Sequence, residues 1–150
     1  MKPELIVRII LESPPSGVDF GLQKGKGSDY ETIQKQQSNG ANLQFDFNID
    51  IKTNGGQQIV FRGPYVQGPP SGQFIYIGIG TYAGQKDSLW GRRLKIPLVG
   101  ITTEMTAQLI ADPQLRLEAS VPGTGKDGGP NCATVKPFSG WILKRSAKNI

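Results

Sequence analysis

Leu43, Phe45, Phe47, Ile49 and Ile51 alternate without a break with Gln44, Asp46, Asn48, Asp50 and Lys52. A repeat of two places five large apolar side chains on one face of an extended chain and five polar ones on the other. The segment therefore reads as an antiparallel strand with one buried and one wet face. Any fold for this chain has to supply a second layer for that apolar face to pack against.

The same period recurs along the chain. Leu5, Val7, Ile9 and Leu11 share a face, as do Val18, Phe20 and Leu22, and Ile75, Ile77 and Ile79 within the run FIYIGIGT from Phe74 to Thr81. Leu94, Ile96 and Leu98, then Leu115 to Val121, continue the pattern, with shorter runs at Gln58–Arg62, Cys132–Lys136 and Trp141–Lys144. Asn39-Gly40 before the clearest strand and Asn54-Gly55 after it are hairpin signals, because this pair supplies the positive φ of tight turns. The first signal makes Tyr30–Gln37 the expected partner of Leu43–Lys52, although the pattern of Tyr30–Gln37 alone also fits a polar helix. Pro97 predicts an edge or bulged strand, and the glycines at 78 and 80 predict a bend.

Helical spacing occurs once: Ile101, Met105 and Leu109 lie four apart, Thr102 can cap, and Asp112-Pro113 stops the run. The predicted fold is all-β and mainly antiparallel, a β-sandwich or closed β-barrel of about eight or nine short strands with one short helix near residues 102–112. Twenty Gly and eleven Pro mark the turns between strands. Residues 1–150 are expected to form a single β domain, with 145–150 a frayed basic tail.

The chain has no His and one Cys. That excludes Ser-His-Asp and Cys-His nucleophile systems, imidazole bases, His metal ligands, a Cys-rich zinc site and an internal disulfide. No cofactor and no metal are expected. One thiol, no secretory signal and no membrane-spanning apolar run lead to the expectation of a cytoplasmic protein that does not enter membranes. The net charge of +5 gives a basic isoelectric point and favours anionic partners weakly. Edge strands leave a homo-oligomer open.

Three loops concentrate polar and aromatic chemistry. Residues 62–72 begin Arg62-Gly63-Pro64-Tyr65; residues 82–93 hold Tyr82, Gln85, Asp87, Trp90, Arg92 and Arg93; residues 122–131 hold Lys126 and Asp127. The run around Lys126 is not a phosphate loop, because it lacks the first Gly, has Asp127 in place of Ser or Thr, and is followed by no helix. Asp46 and Asp50 share a strand face and read as a solvated surface.

The segments RGPYVQGPPSGQFIYIGIGTYAGQ (62–85), DSLWGRRLKIPLVGIT (87–102) and VPGTGKDGGPNCATVKP (121–137), with RIILESPPSGVDFGLQKGKG (8–27), resemble an uncharacterised family of small, mainly bacterial proteins, a domain of unknown function. The likeness spans nearly the whole chain. It implies no activity, substrate or cofactor, and it carries over no catalytic residue.

The leading expectation is a ligand-binding β-protein rather than an enzyme. The three loops would line one end, Arg92, Arg93 or Lys126 would hold an anionic or polyhydroxyl ligand, and Tyr82 or Trp90 would stack on it, with Arg62, Tyr65, Gln85, Asp87 and Asp127 as further ligand-binding candidates. Two alternatives stay open. One is a carboxylate-based enzyme using Asp87 or Asp127. The other is a small β-barrel that binds single-stranded nucleic acid through Trp90 with Arg92 and Arg93, and Trp141 with Lys144 and Arg145.

Overall fold

The computed structural model describes residues 4–14, 16–26, 29–54, 58–69, 72–82, 92–122, 133–134 and 140–145. The strands are β1 (Glu4–Glu12), β2 (Val18–Lys26), β3 (Asp29–Gln37), β4 (Leu43–Asn54), β5 (Gln58–Arg62), β6 (Phe74–Tyr82), β7 (Arg92–Pro97), β8 (Leu115–Pro122), β9 (Ala133–Thr134) and β10 (Ile142–Arg145). Helix α1 (Thr103–Ala111) lies between β7 and β8.

The strands form two five-stranded sheets, in the orders β10-β8-β1-β4-β5 and β3-β2-β6-β7-β9. Among the described residues only the β1–β8 and β7–β9 pairs are parallel, so both sheets are mainly antiparallel. The period-two pattern explains the layering. Leu5, Val7, Ile9 and Leu11 of β1 are 0–1% exposed, and they join Phe45, Phe47 and Ile49 of β4 in one core with Phe20, Leu22, Ile75, Ile77, Leu94 and Ile96 of the second sheet. Among the described residues there are ten strands where about eight or nine were expected, and no pairing among them closes a barrel.

The helix follows its sequence signals. Thr102 accepts the Met105 N–H at 3.1 Å, and the Asp112 side chain accepts the Gln114 N–H at 2.9 Å just past the last turn. Leu109 is buried, and Met105 packs on the core. Among the described residues no helix is long and apolar enough to cross a membrane.

Four local expectations change. β3 is a strand, but it pairs with β2 and not with β4. The Asn39-Gly40 turn carries the chain from one sheet to the other: Ser38 still bonds Val18, then Gly40 turns at φ +98° and β4 begins in the first sheet. The second hairpin signal does join neighbours, with Asn54 opposite Gln58. β7 is not an edge strand, yet two-residue β9 pairs only Leu94 and Lys95, so the missing N–H of Pro97 costs no ladder bond there. Gly78 marks close packing, since a Cβ there would sit 2.5 Å from Nε2 of Gln23, which crosses it from β2; the irregularity falls around Gly80, where β6 takes three steps from Ile79 to Tyr82 against two of β2 from Phe20 to Val18. Finally, Arg145 ends β10 opposite Leu115 and pairs with Asp112 at 3.0 Å, so it is no part of a frayed tail.

Side-chain amides join the two sheets. Gln34, a bulge residue of β3 at φ +53°, donates to the Asp46 carbonyl at 2.8 Å, and Gln36 donates to the Gln44 carbonyl at 3.0 Å. They cap the stretch of β4 that β5 does not reach. Across the molecule, the Gln73 amide exchanges two bonds with the Phe61 backbone, at 2.9 and 2.8 Å.

Candidate functional site

Antiparallel register assembles the site from residues far apart in sequence. On the outer face of the first sheet, Glu4 of β1 lies opposite Asp50 of β4, Ile6 opposite Asn48, and Arg8 opposite Asp46. β5 ends with Arg62 opposite Asp50. Facing side chains in such pairs have Cβ atoms about 4.5–5.5 Å apart, so neighbours along these rows interact directly.

Beyond Arg62 the chain leaves β4. Gly63 turns at φ +133°, Pro64 accepts the Gly25 N–H at 2.8 Å, and Gln67 donates from its side chain to the Gly25 carbonyl at 2.6 Å. Gln67 also pairs through its backbone with Phe74. These bonds pull the loop toward β2 and β6, away from the outer face of β4. The half-buried Tyr65 is held with its ring 5.1 Å from that of Phe47. The divergence leaves an open cleft of about 500 Å³, whose walls include Glu4, Asp46, Asn48, Asp50, Pro64 and Tyr65.

The polar side chains that line the cleft are mainly acceptors, three carboxylates and the Asn48 amide, set among Ile6, Phe47, Pro64 and Tyr65. Asn48 donates to Glu4 at 3.3 Å. Asp46 receives two bonds from Arg8, at 2.8 and 3.2 Å, and one from Gln44 at 3.0 Å. Partial burial pushes the Asp46 carboxyl up, but the bonds from Arg8 and Gln44 and the charge of Arg8 outweigh it and hold the group below the usual carboxylate range. The same bond raises the Arg8 guanidinium. A carboxylate held ionised in this way accepts hydrogen bonds well and is poorly suited to donate a proton as a general acid. Among the described residues, no group of three or more Asp, Glu, His or Cys side chains is placed to hold a metal ion.

The predicted site residues divide into three sets. Arg62 is exposed opposite Asp50 at the end of β5 and is not among the residues lining the cleft, whereas Tyr65 forms one of its walls. Tyr82 ends β6 opposite Val18, while Arg92 and Arg93 open β7 opposite Ile79 and Gly78, with side chains outside the description. Gln85, Asp87, Trp90, Lys126 and Asp127 lie outside the described residues.

The strand registers also correct the idea that all three loops line one end. Arg62 sits level with Glu4 at the start of β1, whereas Pro122 sits opposite Glu12 at its end, about 26 Å away at 3.3 Å per residue. Tyr82, opposite Val18, is at that far end too. Loop 62–72 is thus separated by the length of a strand from the points where the other two loops begin. Trp141 is corrected as well. It is 7% exposed and donates its indole N–H to the Pro97 carbonyl at 2.9 Å, so it links the two sheets and offers no stacking face.

Sequence reasoning missed Glu4 and Asn48 and set Asp46 and Asp50 aside as solvated surface. The available signal was the strict polar alternation of β4; what it lacked was the partner strand.

Fold and cleft together define a two-sheet, mainly antiparallel β-protein with an acceptor-lined surface site. The chain belongs to a family of unknown function, DUF5990, whose model matches residues 5–144. All four segments that carried the resemblance fall inside that span. No curated protein and no solved structure matches the chain.

Proposed function

We propose that this protein is a non-catalytic binding protein, a single open β-sandwich that holds a polyhydroxyl ligand in the cleft beside Tyr65. The observation that carries this reading is the convergence of Glu4, Asp46, Asn48 and Asp50 with the Tyr65 ring on one concavity. Carboxylates and an amide carbonyl accept bonds from ligand hydroxyls, while Tyr65 and Pro64 offer apolar surface to a sugar ring. The same carboxylates repel anions, so of the two ligand classes expected from the sequence the neutral polyol fits this cleft. Arg8 occupies Asp46 from the sheet side and fixes the carboxylate in place.

Amide-resolved NMR titration with maltotriose, xylotriose and chitotriose, and with citrate as the anionic probe, tests the proposal. At least one sugar is expected to shift the Asn48, Asp50 and Tyr65 resonances together, and Tyr65→Ala should abolish the response. Silence toward all three sugars, or a stronger response to citrate at these residues, overturns it.

A further inference from the structure

The second sheet carries a different kind of surface. In β6 and β7, Ile75, Ile77, Leu94 and Ile96 point inward at 0–1% exposure, which leaves Phe74, Tyr76 and Lys95 on the outer face, each only partly buried. β6 is the central strand of its sheet, and Tyr76 lies directly opposite Lys95. The Phe74 and Tyr76 rings are 5.0 Å apart and tilted by 57°, and the Lys95 ammonium stands 4.2 Å over the Phe74 ring. No carboxylate pairs with Lys95 among the described residues.

We propose that the outer face at Phe74, Tyr76 and Lys95 is a docking platform for single-stranded nucleic acid. Two rings at alternate positions of one strand stand in series, with the Lys95 ammonium beside them. A ligand made of repeating planar units joined by negative links matches that order, and a lone sugar or a simple anion does not. Single strands are specified because bases in a duplex keep their π faces stacked on one another. Lys95 has the lesser hold to give up: it rests on a ring instead of a carboxylate, so a base can take the ring while the ammonium moves to a phosphate. The platform lies on the opposite sheet from the Tyr65 cleft, so either reading can fail alone.

Fluorescence anisotropy of the full chain with labelled oligo(dT) and oligo(rU), against a duplex control, tests it. Both single strands are expected to bind at low salt and the duplex much less; a preference between the two separates DNA from RNA. Tyr76→Ala and Phe74→Ala should each weaken binding about tenfold or more, with Tyr76→Phe keeping it and guarding against a folding artefact. Lys95→Gln should flatten the slope of log K against log salt by about 0.7, the contribution of one phosphate contact on a single strand. Glu4→Gln in the cleft should leave the isotherm unchanged. Absence of binding at low salt, equal binding of duplex, or affinity indifferent to Tyr76→Ala and Phe74→Ala in folded variants overturns the proposal.

Discussion

On the outer face of the first sheet Arg8 rests on Asp46 and Arg116 rests on Glu118, both at 2.8 Å, while on the outer face of the second Lys95 rests on the Phe74 ring. Both faces cover the same core. On the first face Arg8 and Arg116 are held by fixed carboxylates at neighbouring positions, and the Arg116–Glu118 pair is sunk to 11% and 9% side-chain exposure. Two of its cations are thus held on carboxylates, and the cleft beside them adds the carboxylates of Glu4 and Asp50. The second face leaves a cation on a π surface, a partner that does not neutralise it. The same protein thus holds two cations on carboxylates on one face and one cation on a ring on the other, and the second arrangement is the more receptive to anions.

The two faces back onto one shared core and are expected to unfold as one cooperative unit. Phe45 is fully buried between the sheets, and Phe45→Ala is expected to cost about 3–5 kcal/mol. Thermal melts followed by circular dichroism should keep a single transition; two separate transitions would mean that the sheets are independent. Next in size is Gly78→Ala, which drives a methyl into the Gln23 amide and should destabilise by about 1–3 kcal/mol. A double-mutant cycle with Gln23→Ala should recover part of that loss, and strict additivity would show that the crowding lies elsewhere.

Arg8→Met isolates the paired face. With the Asp46 side chain about half exposed, screening limits the expected loss to about 0.5–1 kcal/mol at neutral pH. Because the folded Asp46 carboxyl is held low, its contribution is present above the unfolded value of about 3.9 and is lost as pH falls through the folded one. The gap between wild type and variant in urea midpoint should therefore close below about pH 4. A gap that persists into strong acid would assign the effect to the packing of the Arg8 stem. Lys95→Gln should be the mildest, within about 0.5 kcal/mol, because exposed cation–π contacts contribute little. A loss as large as that of Arg8→Met would erase the contrast between the faces.

Local order was readable wherever it depended on neighbours in sequence. The alternation in β4, the Thr102 cap and the Asp112-Pro113 stop each act over a few residues, and the helix lies where they put it. Pairing was not readable. Asn39-Gly40 signals a reversal without saying which sheet receives the next strand, and β3 pairs with β2 because the core-facing side chains of β2 and β4 belong to opposite layers. The cleft was hidden for the same reason. Glu4 and Asp50 are 46 positions apart, and only the β1–β4 register, fixed by burying Leu5 against Ile49 and Val7 against Phe47, makes them neighbours. Tyr65 was legible because an aromatic residue in a Gly-Pro loop has few local reasons to be there.

The glutamines that bridge the layers have a consequence for the protein in a crowded solution. A carboxamide carries a donor and an acceptor on one flat group, like the peptide unit it imitates. Gln73 uses both on Phe61, and Gln34 and Gln36 use their donors on β4. Each therefore occupies backbone groups that another chain would otherwise recruit to start an intermolecular ladder, the hazard that open sheet margins present. Changing Gln34 or Gln73 to Glu, nearly identical in shape, would remove the donor and set an anion against a carbonyl oxygen. The expected price is reduced colloidal stability, with the native fold otherwise retained.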